Sequence, residues 1–115
     1  MLKKRTKEFA LRIIKLIDAL PDTMAGQTIG KQVIRSGTSV AANYRAVCRA
    51  RSRPEFISKL GVVVEEADET VFWLEIIIES NLLKKELVTA LLKEANEITA
   101  IMVSARMTSI RTNKS

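Results

Sequence analysis

Hydrophobic residues return every three or four positions along nearly the whole chain, and four stretches carry the pattern. From about Lys4 to Leu20, one apolar face is made by Phe9, Ile13, Leu16, Ile17 and Leu20, and Pro21 ends the segment by disfavouring helix in the residue before it. From about Gln27 to Ala50 the stripe is Val33, Gly37, Val40, Tyr44 and Val47, a four-three-four-three spacing suited to helices crossing at a shallow angle. Gly37 in mid-stripe costs about 1 kcal/mol relative to alanine. The small residues Ser36, Ser39, Ala41 and Ala42 around it point to close backbone approach as the compensation.

A third helix starts at Ser52-Arg53-Pro54-Glu55, which has the form of a capping box with proline in the first turn, where a missing amide is harmless. Its core stripe runs through Phe56, Leu60, Val63, Val64, Ala67, Val71, Leu74 and Ile78 and stops at Ser80 and Asn81. The fourth segment, from about Lys85 to Met107, repeats the pattern with Leu87, Leu91, Ala95, Ile98, Met102 and Ala105, and Arg111 to Ser115 is expected to be a frayed polar tail. Four amphipathic helices with short connections predict an all-α fold, an antiparallel up-down-up-down four-helix bundle. The expected helices cover about 4–20, 27–50, 53–80 and 85–107 in a single domain, 1–115.

Composition removes more chemistry than it suggests. The 115 residues contain no histidine, which excludes Ser-His-Asp and Cys-His nucleophile systems, HExxH zinc sites and Glu-x-x-His di-iron bundles. No Walker spacing surrounds Gly26 or Gly30. The expectation is a protein that is not an enzyme and carries no cofactor. The lone Cys48 allows no intramolecular disulfide. The N-terminal apolar stretch is broken by Arg12, Lys15 and Asp18, and the longest uncharged run, Ser36 to Tyr44, is far too short to span a bilayer. A cytoplasmic protein with no membrane partner is expected.

Charge is polarised along the chain. Residues 1–54 hold 12 basic and 3 acidic side chains, whereas residues 55–115 hold 7 basic and 10 acidic ones. On a helical wheel with Val33 and Val40 inward, Lys31, Arg35, Arg45, Arg49 and, if the helix persisted, Arg53 form one outward stripe, joined by Arg51. Arginines in such a register are candidates for holding nucleic-acid phosphates, a salt-dependent contact that does not read sequence. The competing reading pairs Arg45 and Arg49 with Glu65, Glu66 or Glu69 of a neighbouring subunit. The cluster Lys3, Lys4, Arg5 and Lys7 has no obvious acidic partner, and solvated ends are its plain alternative.

The third helix is apolar on two sides. Opposite its core stripe lie Val62, Phe72, Trp73 and Ile76, interspersed with Glu65, Glu66 and Glu69. A face of this kind is a candidate subunit interface, with Trp73 as anchor; the alternative packs Phe72 and Trp73 within the same chain. The acidic cluster itself does not guarantee convergent oxygen ligands, so no metal site is expected. Asp68 and Glu75, at the core margin, are expected to find a Lys or Arg on an adjacent helix.

The run from Arg35 to Glu75 resembles the 23S rRNA intervening-sequence proteins, a family that also includes the accessory variability protein of diversity-generating retroelements. The resemblance lies in Arg35-Ser36, Ala42-Asn43, Arg51-Ser52 and Glu55-Phe56; many members have Glu-Gly where this chain has Arg45-Ala46. It implies a short bundle assembling as a ring-like homopentamer without known enzymatic activity. In the retroelement branch it implies binding to nucleic acid and to a reverse transcriptase. Two functions are therefore expected as rivals: a homo-oligomeric bundle that binds the RNA or DNA backbone, or a protein-interaction scaffold whose basic stripe is used in intersubunit salt bridges.

Overall fold

A computed structural model of the chain describes residues 1–114. Four helices account for most of it: α1 (Leu2–Ile17), α2 (Met24–Val47), α3 (Arg53–Glu79) and α4 (Lys85–Lys114). Their ends follow local chemistry. α2 begins before the expected Gln27 because Thr23 caps it, its side chain accepting the Gly26 amide at 3.1 Å. At α3 the expected capping box forms in a shifted version. Ser52 Oγ accepts from the Glu55 amide at 3.2 Å, while the Glu55 carboxylate accepts the amide of Arg51 at 3.2 Å.

The far end of α3 closes at Asn81, whose φ of 59° is left-handed, with the Leu82 amide donating to Ile77 O at 3.1 Å. α1 stops at Ile17 rather than Leu20, tightening into bonds from Ala19 to Leu16 O and from Leu20 to Ile17 O, each 3.0 Å. α2 likewise ends at Val47 instead of Ala50. The largest departure is α4, which continues through the supposed tail from Arg111 to Lys114; Ser115 lies outside the described residues.

Each helix packs on two neighbours, α1 on α2 and α4, α3 on α2 and α4, in a body 51 × 23 × 20 Å. Gly37 faces Ile13 whereas Gly30 faces Ile17 and Leu20, so α1 and α2 run in opposite directions. Along the α1–α4 seam Arg5 meets Glu94 while Leu16 shares a groove with Leu87, again antiparallel. Short connections over residues 18–23, 48–52 and 80–84 complete the up-down-up-down bundle.

The core draws on all four helices, from Phe9 and Ile13 through Val33, Val40, Leu60 and Leu74 to Ile98 and Met102. Leu87, expected inside, is 58% exposed, and its neighbour Val88 is fully buried. Ile77 likewise takes the buried position expected of Ile78. One-residue errors of this kind arise because a helical stripe drifts around the axis, and only the facing helices fix which edge of it is covered. The polar residues Thr6, Ser36 and Thr70 also lie in the core. Thr70 Oγ1 sits 2.9 Å from Ser36 Oγ and 2.8 Å from Glu66 O, so this polar link across the buried α2–α3 seam is satisfied by its own helices.

The α1–α4 seam is closed by a fork. Arg5 Nε donates to Glu94 Oε2 at 2.8 Å, and its terminal nitrogen to Glu94 Oε1 at 2.7 Å and Glu97 Oε2 at 3.0 Å. The hydrogen bonds from Arg5, with its positive charge, hold the Glu94 carboxyl below the usual glutamate range. A carboxyl depressed in the folded state contributes stability above its unfolded pKa, and that contribution disappears as pH falls through the folded value. Glu94→Gln should therefore cost about 1 kcal/mol at neutral pH, the pair being partly exposed. In urea unfolding at neutral pH and near pH 3, the gap between the variant and the original chain should narrow on the acid side.

Candidate nucleic-acid interface

The sequence places six cations on the α2 face and the connection after it, and the structure separates them into three environments. Lys31 and Arg35 lie on the exposed side of α2 toward its N-terminal half. Arg35 is engaged: one guanidinium nitrogen donates to Glu66 Oε2 at 3.0 Å and the other to Glu69. The two carboxylates raise its pKa, Glu66 most, and neutralise it within its own chain. The basic stripe is interrupted there, because α3 packs against α2 with Glu66 and Glu69 turned toward Arg35. Both glutamates, offered as subunit contacts, are drawn into this intrachain pairing.

Further along α2, Arg45 joins residues that sequence periodicity alone does not connect to it. Lys3 and Lys7 of α1 and Arg45 of α2 surround a groove of about 380 Å³ whose remaining lining is Thr38, Ala41 and Ala42. The groove exists because the facing side chains are small, so the two backbones leave a shallow trough between long cationic rims. No carboxylate lines it, and among the described residues none of the three cations is ion-paired. Their neighbours differ: Lys4 lies 3.9 Å from Glu8, and Arg5 is held by α4. The signal in the sequence was the Lys3 to Lys7 spacing, which repeats every four residues and puts both on one side of α1.

Arg49 is exposed in the turn after α2, beyond Arg45. Arg51 and Arg53 are exposed at the start of α3, where they line a second groove with Phe56 and the end of α4.

On α3 the outward side carries Val62 and Phe72, 41% and 50% exposed, with Glu65 exposed between them. Phe72 and Trp73 meet edge to face with centroids 5.0 Å apart. Trp73 is half-buried against the core of its own chain, and its Nε1 is enclosed without a hydrogen-bond acceptor; Ile76 is half-buried. Asp68 and Glu75 are both exposed and, among the described residues, neither forms the ion pair expected with a Lys or Arg of an adjacent helix. No group of three His, Cys, Asp or Glu side chains among the described residues is placed to hold a metal ion. No described helix is long and apolar enough to cross a membrane.

The model of the 23S rRNA-intervening sequence protein family matches residues 2–104. The chain belongs to that family. A crystal structure of a protein of unknown function from the S23 ribosomal protein family of Bacteroides thetaiotaomicron superposes with a TM-score of 0.85 at 35% identity. The match covers 92% of this chain and 98% of that one. No curated protein matches the chain. The span matched to the intervening-sequence protein family includes both rims of the α1–α2 groove and the arginines that open α3, while the last turns of α4 lie beyond it.

Proposed function

We propose that this intervening-sequence family member is a non-enzymatic, self-associating helical bundle that binds the RNA or DNA backbone along its α1–α2 face. The observation that carries the reading is the groove in which Lys3, Lys7 and Arg45 stand unpaired, with no carboxylate among its lining residues. Three cations converging from two helices supply phosphate contacts, and the small floor of Thr38, Ala41 and Ala42 lets a strand approach closely. Arg49, exposed in the turn after α2, extends the positive surface beyond Arg45, and Lys31 is an exposed cation on the other side of the paired Arg35. Nothing in the groove is built to read base edges, so unrelated sequences should bind alike.

A polarisation titration with structured RNA and with duplex DNA, at low and at physiological salt, tests this. Binding should weaken steeply as salt rises, because phosphate contacts release counterions. Absence of binding at low salt would sink the proposal.

The scaffold reading keeps one specific observation in its favour: the exposed Val62 and Phe72 on an acidic helix face. Here the α3 face joins subunits and a partner protein docks on the assembly, for which the pentameric ring implied by the resemblance is the form to test. Light scattering should show a mass above that of one chain, and Phe72→Ser should lower it. A well-folded monomer at micromolar concentration would end the assembly claim. An intact assembly that ignores nucleic acid would favour the scaffold.

A further inference from the structure

The groove at the end of the bundle differs in chemistry from the α1–α2 trough. It measures about 560 Å³ and lies between the α2–α3 connection and the last turns of α4. Arg51 and Arg53 line it, together with the hydroxyl-bearing Thr108 and Ser109 and the ring of Phe56. Both arginines are exposed, and among the described residues neither guanidinium is ion-paired. Among the described residues no acidic side chain belongs to the lining. The carboxylate nearest in sequence, Glu55, already accepts the Arg51 amide at 3.2 Å and lies 3.6 Å from Lys59 Nζ.

We infer that this end groove binds a nucleoside phosphate, with Arg51 and Arg53 on the phosphate and Phe56 under the base. Two free guanidinium groups two residues apart offer planar donors matched to phosphate oxygens. An anion alone would not need the rest of the groove, whose volume falls within the range of small-molecule sites. Phe56 is half-buried, packing on the core while also lining the groove, so its ring is held in place beneath an incoming base. Thr108 and Ser109 line the groove from α4 and bring hydroxyl groups to it, small polar partners of the kind that ribose or base edges need. An acidic peptide would satisfy the arginines but leave the aromatic wall without a flat partner.

The ligand can come from two sources, a free mononucleotide or the phosphorylated end of a nucleic-acid strand. Arg45 on the last turn of α2 and Arg49 in the turn after it lead toward this same end of the molecule, so a strand lying in the α1–α2 trough would deliver its terminus here. The end groove uses none of the trough's side chains, so the two proposals fail separately.

Adenosine monophosphate, inorganic phosphate and a short single strand with or without a terminal phosphate are the probes, read by NMR and fluorescence polarisation on the full chain. Adenosine monophosphate should bind saturably and shift the Phe56 ring signals. Arg51→Ala with Arg53→Ala should weaken it by about tenfold or more. Phe56→Leu should weaken the nucleotide but not inorganic phosphate, and Lys7→Ala with Arg45→Ala should leave the nucleotide unaffected. Tighter binding of the phosphorylated strand assigns the groove to strand ends; equal binding of the two strands, with the nucleotide still bound, assigns it to free nucleotides. The inference is overturned if the nucleotide does not saturate, or if its binding follows Lys7 and Arg45 instead of Arg51 and Arg53. Circular dichroism on each variant separates loss of binding from loss of fold.

Discussion

Gly37→Leu should cost at least about 3 kcal/mol and remove much of the folded chain's margin of stability. A Cβ built on Gly37 comes to 2.8 Å from Ile13 Cγ1 and 3.0 Å from its Cγ2, distances that require something to move. Ile13 cannot yield easily. It is wholly buried, and its branched side chain has one strongly favoured rotamer in a helix. Gly37→Ala sets two effects against each other and so fixes the sign. Helix propensity alone would make alanine better by about 1 kcal/mol, whereas overpacking costs about 1–3 kcal/mol. A net loss is expected. Ile13→Ala alone should cost about 2–5 kcal/mol through the cavity it leaves, but combined with Gly37→Leu it should recover part of that loss, the two side chains exchanging volume across one contact. Urea unfolding of the four variants closes the cycle. Simple additivity would mean that α1 and α2 are not held apart by this contact.

Reversing the trough, with Lys7→Glu and Arg45→Glu, should reduce nucleic-acid affinity by about 100-fold or more at low salt, since two attractive phosphate contacts become repulsive. The neutral pair Lys7→Ala and Arg45→Ala is the finer measure. Removing two phosphate contacts should flatten the dependence of log affinity on log salt by roughly 1.5. Arg35→Ala is the internal control. Its charge is already met by Glu66 and Glu69, so affinity should change less than about twofold, although it lies on the same helix as Arg45. If Arg35→Ala weakened binding as much as the trough variants, the division of the basic stripe drawn from the ion pairs would be wrong.

These variants also mark how far the sequence could be read. The helices were legible because each needs only its own backbone and one apolar face: Val33, Val40 and Val47 on α2, or Leu60, Val63 and Leu74 on α3, repeat whatever they pack against. Gly37 announced a close approach without naming Ile13 as the residue approached. The end of α4 was missed because its polar composition resembles a tail, yet a polar stretch can continue a helix already nucleated and packed upstream. For the candidate interface, the sequence supplied the right kind of residue in partly the wrong grouping. Arg35 belonged by register with Arg45 and Arg49, and only the placement of α3 showed that its charge is met.

The sequence by itself determined that this protein is a bundle of four amphipathic helices, and that no imidazole chemistry is open to it. Both follow from local properties, residue type and a repeat set by the 3.6-residue turn. Only the tertiary structure decided which cations remain available. It removed Arg35 and Arg5 to carboxylates on α3 and α4, and brought Lys3 and Lys7 across to Arg45. The physical reason is one of range. A helix's shape is decided within a few residues of chain, whereas a charge is neutralised or left free by groups within a few ångströms in space, and those arrive from segments that the order of residues holds far apart.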